Sequence, residues 1–368
     1  MKLLVLGAAV ALTLSTAVPA HAATPADILR AGAEQGVRDG YPGVIGLVRN
    51  GTDSQYVKAG LGDRFAQTPA DPHARFRIGS NTKAFTAAVL LQLESEGRLS
   101  LDDTVARWLP GVVDANGHDG TRITIRQLLN HTSGLPEYSA DARVSVPYVA
   151  NTNPRQPWPP RTLVDIALEA APVRGFHYAN TNYVLAGMVI KAVTGEEPAV
   201  QVRKRIIEPL GLRDTTFPVD DPETPSMHGA FWVGSILIRD VTVSNVQTFG
   251  PAGAIVSTVD DLATFERALF TGRLFPAAQL ASLKTTVPMG TGDAGYGLGV
   301  GSVSTPCGRV WTHTGGVLGY FTTWLTSEDG AKQVVFAANE FHLVGGTRGQ
   351  RDVGKAAVDA YCALQATS

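Results

Sequence analysis

A serine, a lysine, a tyrosine and a histidine stand in contexts where an alcohol could be made to attack a carbonyl. Ser80-Asn81-Thr82-Lys83 lies where a strand-like segment, residues 75–79, gives way to an apolar helix. A serine at a helix start has its hydroxyl beside unpaired backbone amides, and a lysine one turn later projects from the same face within hydrogen-bond reach. Serine is a weak nucleophile until a neighbour takes its proton. A partly desolvated lysine can take it, because burial disfavours the charged amine. Alone, the motif has a plain structural reading as a helix cap and a surface lysine, since Ser-x-x-Lys arises by chance in about a third of chains this long.

Two further triplets add to it. Tyr178-Ala179-Asn180 precedes a helix that Asn180 or Thr181 can cap. A phenol beside an ammonium loses its proton more readily than its reference pKa of about 10 allows, which offers a second base or a proton shuttle. Asn180 both donates and accepts, which suits a substrate amide. His313-Thr314-Gly315-Gly316 ends a predicted strand, and its two glycines leave an edge bare enough for a substrate backbone to lie against. His131, in Asn130-His131-Thr132-Ser133-Gly134, follows a helix end and reads as structural.

These groups are far apart in sequence, so the fold must gather them. Periodicity predicts a helix at 26–37, then strands at 44–48 and 56–60 turning at Asn50-Gly51. Residues 82–96 form an apolar helix closed by Gly97, and helical patterns follow at 124–130, 162–170, 182–193, 199–207 and 259–270. Strands are expected at 297–303, 310–314, 320–326 and 333–338, before a last helix at 352–364. Strands at both ends of a helical middle predict an α/β (α+β) fold. One antiparallel sheet, built from the N-terminal hairpin and the C-terminal strands, is flanked by terminal helices and carries an inserted, mainly helical lobe. The sheet lobe is expected at about 23–75 and 290–368 and the helical lobe at about 76–289, with a cleft at their junction. Residues 147–160 and 220–226 read as surface loops.

The 368 residues are 44% hydrophobic and 17% charged, a globular composition with ample material for a core. A net charge of -2 without any Lys/Arg run excludes the basic footprint of a nucleic-acid binder. Lys2, an apolar run to about residue 18 and Ala20-His21-Ala22 have the form of an export signal over residues 1–22, with a mature chain from Ala23; a retained membrane anchor is the competing reading. No other segment offers ~18 uninterrupted apolar residues, so the expectation is a secreted, extracellular protein without a stable membrane span. Cys307 and Cys362 are the only cysteines. In an oxidising compartment one disulfide is the economical reading, and two separate buried thiols the alternative. Two cysteines without clustered histidines exclude a structural zinc site, and neither metal nor cofactor is expected.

The three motifs, in this order and context, resemble the penicillin-recognising serine hydrolases: class C β-lactamases, D-alanyl-D-alanine carboxypeptidases, and the esterases and D-amino-acid peptidases on the same scaffold. The resemblance runs from about residue 26 to 364 and includes residues 128–134, 178–184 and 253–258. The His-Thr-Gly triplet, where most relatives have Lys-Thr-Gly, and the cysteine pair are most similar to the exported actinobacterial-type D-alanyl-D-alanine carboxypeptidase. The resemblance implies that Ser80 forms an acyl-enzyme, that Lys83 and Tyr178 move the protons, and that Asn180 holds the substrate amide. His313 and Thr314 would line the opposite wall with Gly315 and Gly316, and the N–H groups of Ser80 and Gly316 would form the oxyanion hole.

The implied activity is a monomeric D-alanyl-D-alanine carboxypeptidase acting on peptidoglycan stem peptides and acylated by penicillin. A β-lactamase, an esterase or a D-amino-acid peptidase is the alternative, and a non-catalytic β-lactam-binding protein a third. One departure bears on substrate. Carboxypeptidase relatives bind the terminal carboxylate with an arginine on the strand before the His-Thr-Gly strand, and residues 299–303 contain none. Arg309 is the nearest candidate. Without that cation, a neutral ester or a D-amino-acid amide becomes the better substrate. His313, with an unperturbed pKa near 6.5, would also make activity pH-dependent around neutrality.

Overall fold

Two distant parts of the chain supply one sheet. Gly43–Asn50 (β1) and Asp53–Asp63 (β2) pair antiparallel, turning at Gly51, whose φ of +60° favours glycine. Gly301–Thr305 (β3), Gly308–Val317 (β4), Tyr320–Thr326 (β5) and Lys332–Ala338 (β6) follow as an antiparallel meander. β6 then pairs with β1 in register Leu47↔Val335, which closes the N-terminal hairpin onto the C-terminal strands. The sheet has nine strands in the order Thr68–Pro69, β2, β1, β6, β5, β4, β3, Gly295–Tyr296, Val287–Pro288. The computed structural model describes residues 23–233, 237–290, 292–341 and 348–366, so the expected export signal lies outside the described residues.

β1 is buried along almost its whole length, as a central strand covered on both faces must be. On one face Val44, Val48, Val334 and Phe336 pack with the helices Pro25–Arg38 (α1) and Arg348–Ala366 (α5). α1 starts from a capping box between Thr24 and Asp27, with Pro25 in its first turn. A Cβ on Gly32 would stand 2.1 Å from the Ala356 Cβ, so the glycine sets how closely α1 and α5 approach. On the other face Ile45, Leu47, Val335 and Ala337 join the core of Thr82–Ser95 (α2) and Val259–Phe270 (α4), where Phe85 stacks on Phe265. α2 is apolar all round and buried all round, the condition of a helix at the centre of a lobe. α4, in the helical middle by sequence, lies on the sheet: Gln333 on β6 donates to the Ala263 carbonyl.

The 147–160 loop expected from its prolines is only partly a loop. Ala142–Ala150 is a helix with Pro147 inside it, ended by Asn151 at φ +49°. Burial of Val144 and Tyr148 against the rest of the lobe outweighs the backbone hydrogen bond that proline forfeits. Among the described residues no helix is long and apolar enough to cross a membrane.

Cys307, at the turn between β3 and β4, and Cys362 on α5 form a disulfide with a Cα separation of 5.3 Å. It ties the last helix to the sheet across 55 residues of chain. Intact-mass analysis with a thiol alkylator should therefore show two modified cysteines only after reduction, and the reduced protein should lose about 2–4 kcal/mol in urea unfolding. Free thiols in the untreated protein would contradict the bridge.

Candidate active site

The short pairing of Phe76–Arg77 with Val256–Ser257 delivers the chain to Gly79, at φ +53°. Here the backbone meets β4 so closely that side chains are excluded. A Cβ on Gly79 would lie 2.9 Å from the Gly316 nitrogen, and one on Gly315 2.0 Å from the Ile78 carbonyl oxygen. The two glycines let the turn at Ser80 rest against the strand. Gly79–Asn81 makes one 3-10 turn into α2, leaving Ser80 half-buried and Lys83 wholly enclosed. The Lys83 Nζ donates to Ser80 Oγ at 3.0 Å, to Asn180 Oδ1 at 2.7 Å and to the Ala252 carbonyl at 2.9 Å. It lies 4.9 Å from the Tyr178 ring centroid. Ser80, Tyr178 and Asn180, spread over about a hundred residues, thus surround the one amine of Lys83. Burial pushes the Lys83 pKa down to about 7, against the opposing pull of the Glu137 carboxylate.

Asn180 opens the helix Asn180–Thr194 (α3), but neither it nor Thr181 caps it as the sequence suggests. The cap position is Ala179, without a side-chain bond, and the Asn180 N–H donates to the Glu137 carboxylate. That frees the Asn180 amide for Lys83, while the Thr181 hydroxyl donates to the Pro136 carbonyl at 2.5 Å. Tyr178 also departs from expectation. Its ring keeps some surface open, yet burial of the phenol raises its pKa well above the ordinary value, with the Ser80 hydroxyl pulling the other way and Glu137 adding to the rise. The neighbouring amine does not make it a phenolate, because desolvation outweighs it.

β4 pairs with β5 as far as Val317↔Tyr320, but with β3 only to Thr312↔Gly301. Beyond Thr312, among the described residues, the β3-side edge of β4 carries no strand. His313-Thr314-Gly315-Gly316 is that open edge, next to the Ser80 turn. Along it His313 is buried and Thr314 exposed, as strand alternation requires. His313 Nδ1 is 2.7 Å from the Thr314 carbonyl oxygen, to which it donates, and Nε2 is 2.9 Å from the Tyr296 hydroxyl, from which it accepts. Burial, with the nearby Lys83, pushes His313 down to about 3, so it stays neutral through the neutral range. The expectation that His313 titrates near neutrality is overturned by its burial. Arg309 is not brought to the site either. It stands four residues before His313 on β4, roughly 13 Å away along a strand, and donates to Ser302 Oγ at 2.9 Å.

Glu137 and Tyr296 are the site residues that motif reading misses. Glu137 lies three residues after Gly134, within no pattern that marks a carboxylate as functional, and Tyr296 reaches His313 only through tertiary pairing of the strands. Among the described residues no group of three His, Cys, Asp or Glu side chains is arranged to hold a metal.

Residues 26–358 match the Beta-lactamase family. The chain is 26% identical over 325 residues to penicillin-binding protein 4* of Bacillus subtilis, covering 83% of this chain and 69% of that one. A shorter match, 36% identical over 174 residues, links it to protein flp of Staphylococcus aureus and covers 46% of this chain but only 34% of that longer protein. Among solved structures, a D-stereospecific amidohydrolase from Streptomyces sp. superimposes with a TM-score of 0.83 at 38% identity, covering 90% of this chain and 98% of that one. The D-amino acid amidase from Ochrobactrum anthropi SV3, complexed with L-phenylalanine amide, gives a TM-score of 0.81 at 24% identity over 93% and 99% of the two chains, a likeness of fold. Family match, fold and the serine–lysine centre agree: the chain belongs to the Beta-lactamase family and is a serine hydrolase of the β-lactamase fold.

Proposed function

We propose that the protein hydrolyses amides of D-amino acids bearing a free α-amino group, through an acyl-enzyme on Ser80. The observation that carries this reading is the charge available to a substrate. Glu137 presents a half-buried carboxylate beside Asn180, close enough to influence both Lys83 and Tyr178. The arginine that would recognise a terminal carboxylate has no counterpart in β3, and Arg309 is held by Ser302. An ammonium fits such a site better than a second carboxylate. The D-stereospecific amidohydrolase from Streptomyces sp., at 38% identity, supports the same substrate class.

The chemistry follows from the pKa order. Neutral Lys83 takes the Ser80 proton as the oxygen attacks the carbonyl carbon. The N–H groups of Ser80 and Gly316 receive the developing oxyanion, each such donor lowering the barrier by about 3–4 kcal/mol. Tyr178, protonated because of its burial, passes a proton to the leaving nitrogen and is resupplied from Lys83; the C–N bond breaks and the amine departs. Water then attacks the ester carbonyl and gives its proton to Lys83, which returns it to Ser80 Oγ as the acyl C–O bond breaks and the D-amino acid leaves. The open edge of β4 holds the substrate backbone, with Thr314 on its exposed side.

The test compares D-phenylalanine amide, its L-enantiomer, its N-acetylated form and an N-acylated D-alanyl-D-alanine peptide. The free D-amide should be the best substrate. N-acetylation should lower kcat/KM about 10- to 100-fold, the worth of a charge-assisted hydrogen bond, and Glu137→Gln should abolish that preference. Faster turnover of the acylated peptide would favour the second reading, a D-alanyl-D-alanine carboxypeptidase acylated by penicillin, which the His-Thr-Gly triplet and the likeness to penicillin-binding protein 4* support. Export is part of the proposal, supported by the signal-like residues 1–22 and the disulfide; the mature chain should be found in the culture medium beginning at Ala23.

A further inference from the structure

The segment that follows the helix Ile125–Leu129 grips the segment carrying Tyr178 at several points, and His131 holds it from both backbone and ring. The His131 carbonyl accepts the His177 N–H at 2.9 Å. Its Nδ1 accepts the Ala179 N–H at 3.2 Å and faces Asn182 Nδ2 at 3.0 Å. Tyr178 is thus bracketed by two hydrogen bonds to one residue, at the position before it and the position after it. The imidazole also lies 4.2 Å, centroid to centroid, from the Tyr178 ring.

The price of this arrangement is visible at His131 itself. Its φ of +60° lies in the left-handed region that few residues other than glycine, asparagine, aspartate and histidine adopt. Since Nδ1 accepts from a backbone amide, the ring proton sits on Nε2. That nitrogen is buried and makes no hydrogen bond among the described residues, and the imidazole lies 4.9 Å from the Tyr296 ring and 6.0 Å from the Phe176 ring, centroid to centroid. A residue serving only to fill space here would be an apolar one in unstrained backbone.

We infer that His131 is a positioning residue that fixes the Tyr178 phenol on the Ser80–Lys83 pair through the acceptor at its Nδ1. The inference rests on the reading of Tyr178 as the proton carrier to the leaving group. An ångström of misplacement at such a group can cost about a hundredfold in rate. What matters is an acceptor at the Nδ1 place together with a backbone that tolerates positive φ. Asparagine supplies both, setting its amide oxygen near Nδ1; glutamine sets its oxygen one bond further out and leaves the Ala179 N–H unpaired.

The experiment measures kcat and KM on D-phenylalanine amide for His131→Asn, His131→Gln, Tyr178→Phe and the double variant His131→Gln/Tyr178→Phe, with far-UV circular dichroism to establish folding. His131→Asn should stay within about threefold of the parent, while His131→Gln should lose about 10- to 100-fold in kcat with KM little changed. If His131 acts through Tyr178, the double variant should be no slower than Tyr178→Phe alone. A tenfold loss in folded His131→Asn, a folded His131→Gln at parental kcat, or multiplicative losses in the double variant would overturn the inference. Should His131→Gln fail to fold, the His131→Asn result decides by itself. Parental activity of Tyr178→Phe would instead remove the reading of Tyr178 on which the inference stands.

Discussion

Replacing Ser80 with alanine should leave a folded protein whose hydrolysis of D-phenylalanine amide has fallen about 10⁶-fold, the scale seen when a serine hydrolase loses its nucleophile. The fold should survive because the hydroxyl carries little structure. It caps no helix and is half-exposed, and Lys83 keeps the Asn180 and Ala252 acceptors when it goes. A urea-unfolding difference within about 1 kcal/mol of the parent is expected for such a truncation. The loss should appear in kcat and also as the absence of covalent mass gain after exposure to penicillin or to an activated D-amino acyl ester, since both need the same oxygen. Turnover within tenfold of the parent, with folding intact, would place the nucleophile elsewhere and remove the basis of the acyl-enzyme.

The site was legible where local sequence dictates local geometry. Ser80 and Lys83 are three residues apart on one helical turn, so their 3.0 Å contact is nearly decided by helix geometry. The glycines at 315 and 316 announce a bare strand edge, and the strand is bare there. The elements read best are those with sustained patterns and buried faces: 320–326 and 259–270 appear with the boundaries expected. Elements of two residues, such as Thr68–Pro69 and Val287–Pro288, have no period to detect, whereas Phe76–Arg77, inside the strand-like 75–79, steers Ser80 to β4. Tertiary quantities were not legible. The burial that keeps His313 neutral and Tyr178 protonated comes from lobes packed across the whole chain, as does the approach of Glu137 to Asn180. Sequence therefore named the groups, and packing distributed the protons among them.

In the proposed chemistry Lys83 is the base, and its removal should be the second most damaging change. Lys83→Ala should lower the rate of acylation about 10³- to 10⁴-fold, the upper range for a positioned general base. Lys83→Arg should be no better, because a guanidinium keeps its proton throughout the accessible pH range. The pH profile carries the sharper claim. A base must be neutral to accept a proton, so with Lys83 at about 7 the kcat/KM of the parent should rise tenfold per pH unit below 7, and it should fall again above about 8 as the substrate's α-amino group loses the proton that Glu137 recognises. His313, at about 3, contributes nothing to this limb. Tyr178, held above its ordinary value, leaves the neutral range to Lys83 as well. Both Lys83 variants should accordingly lose the limb below 7. A limb that survives in Lys83→Ala but vanishes in His313→Gln would reassign the titrating group to the histidine, and with it the division of labour between the two walls of the groove.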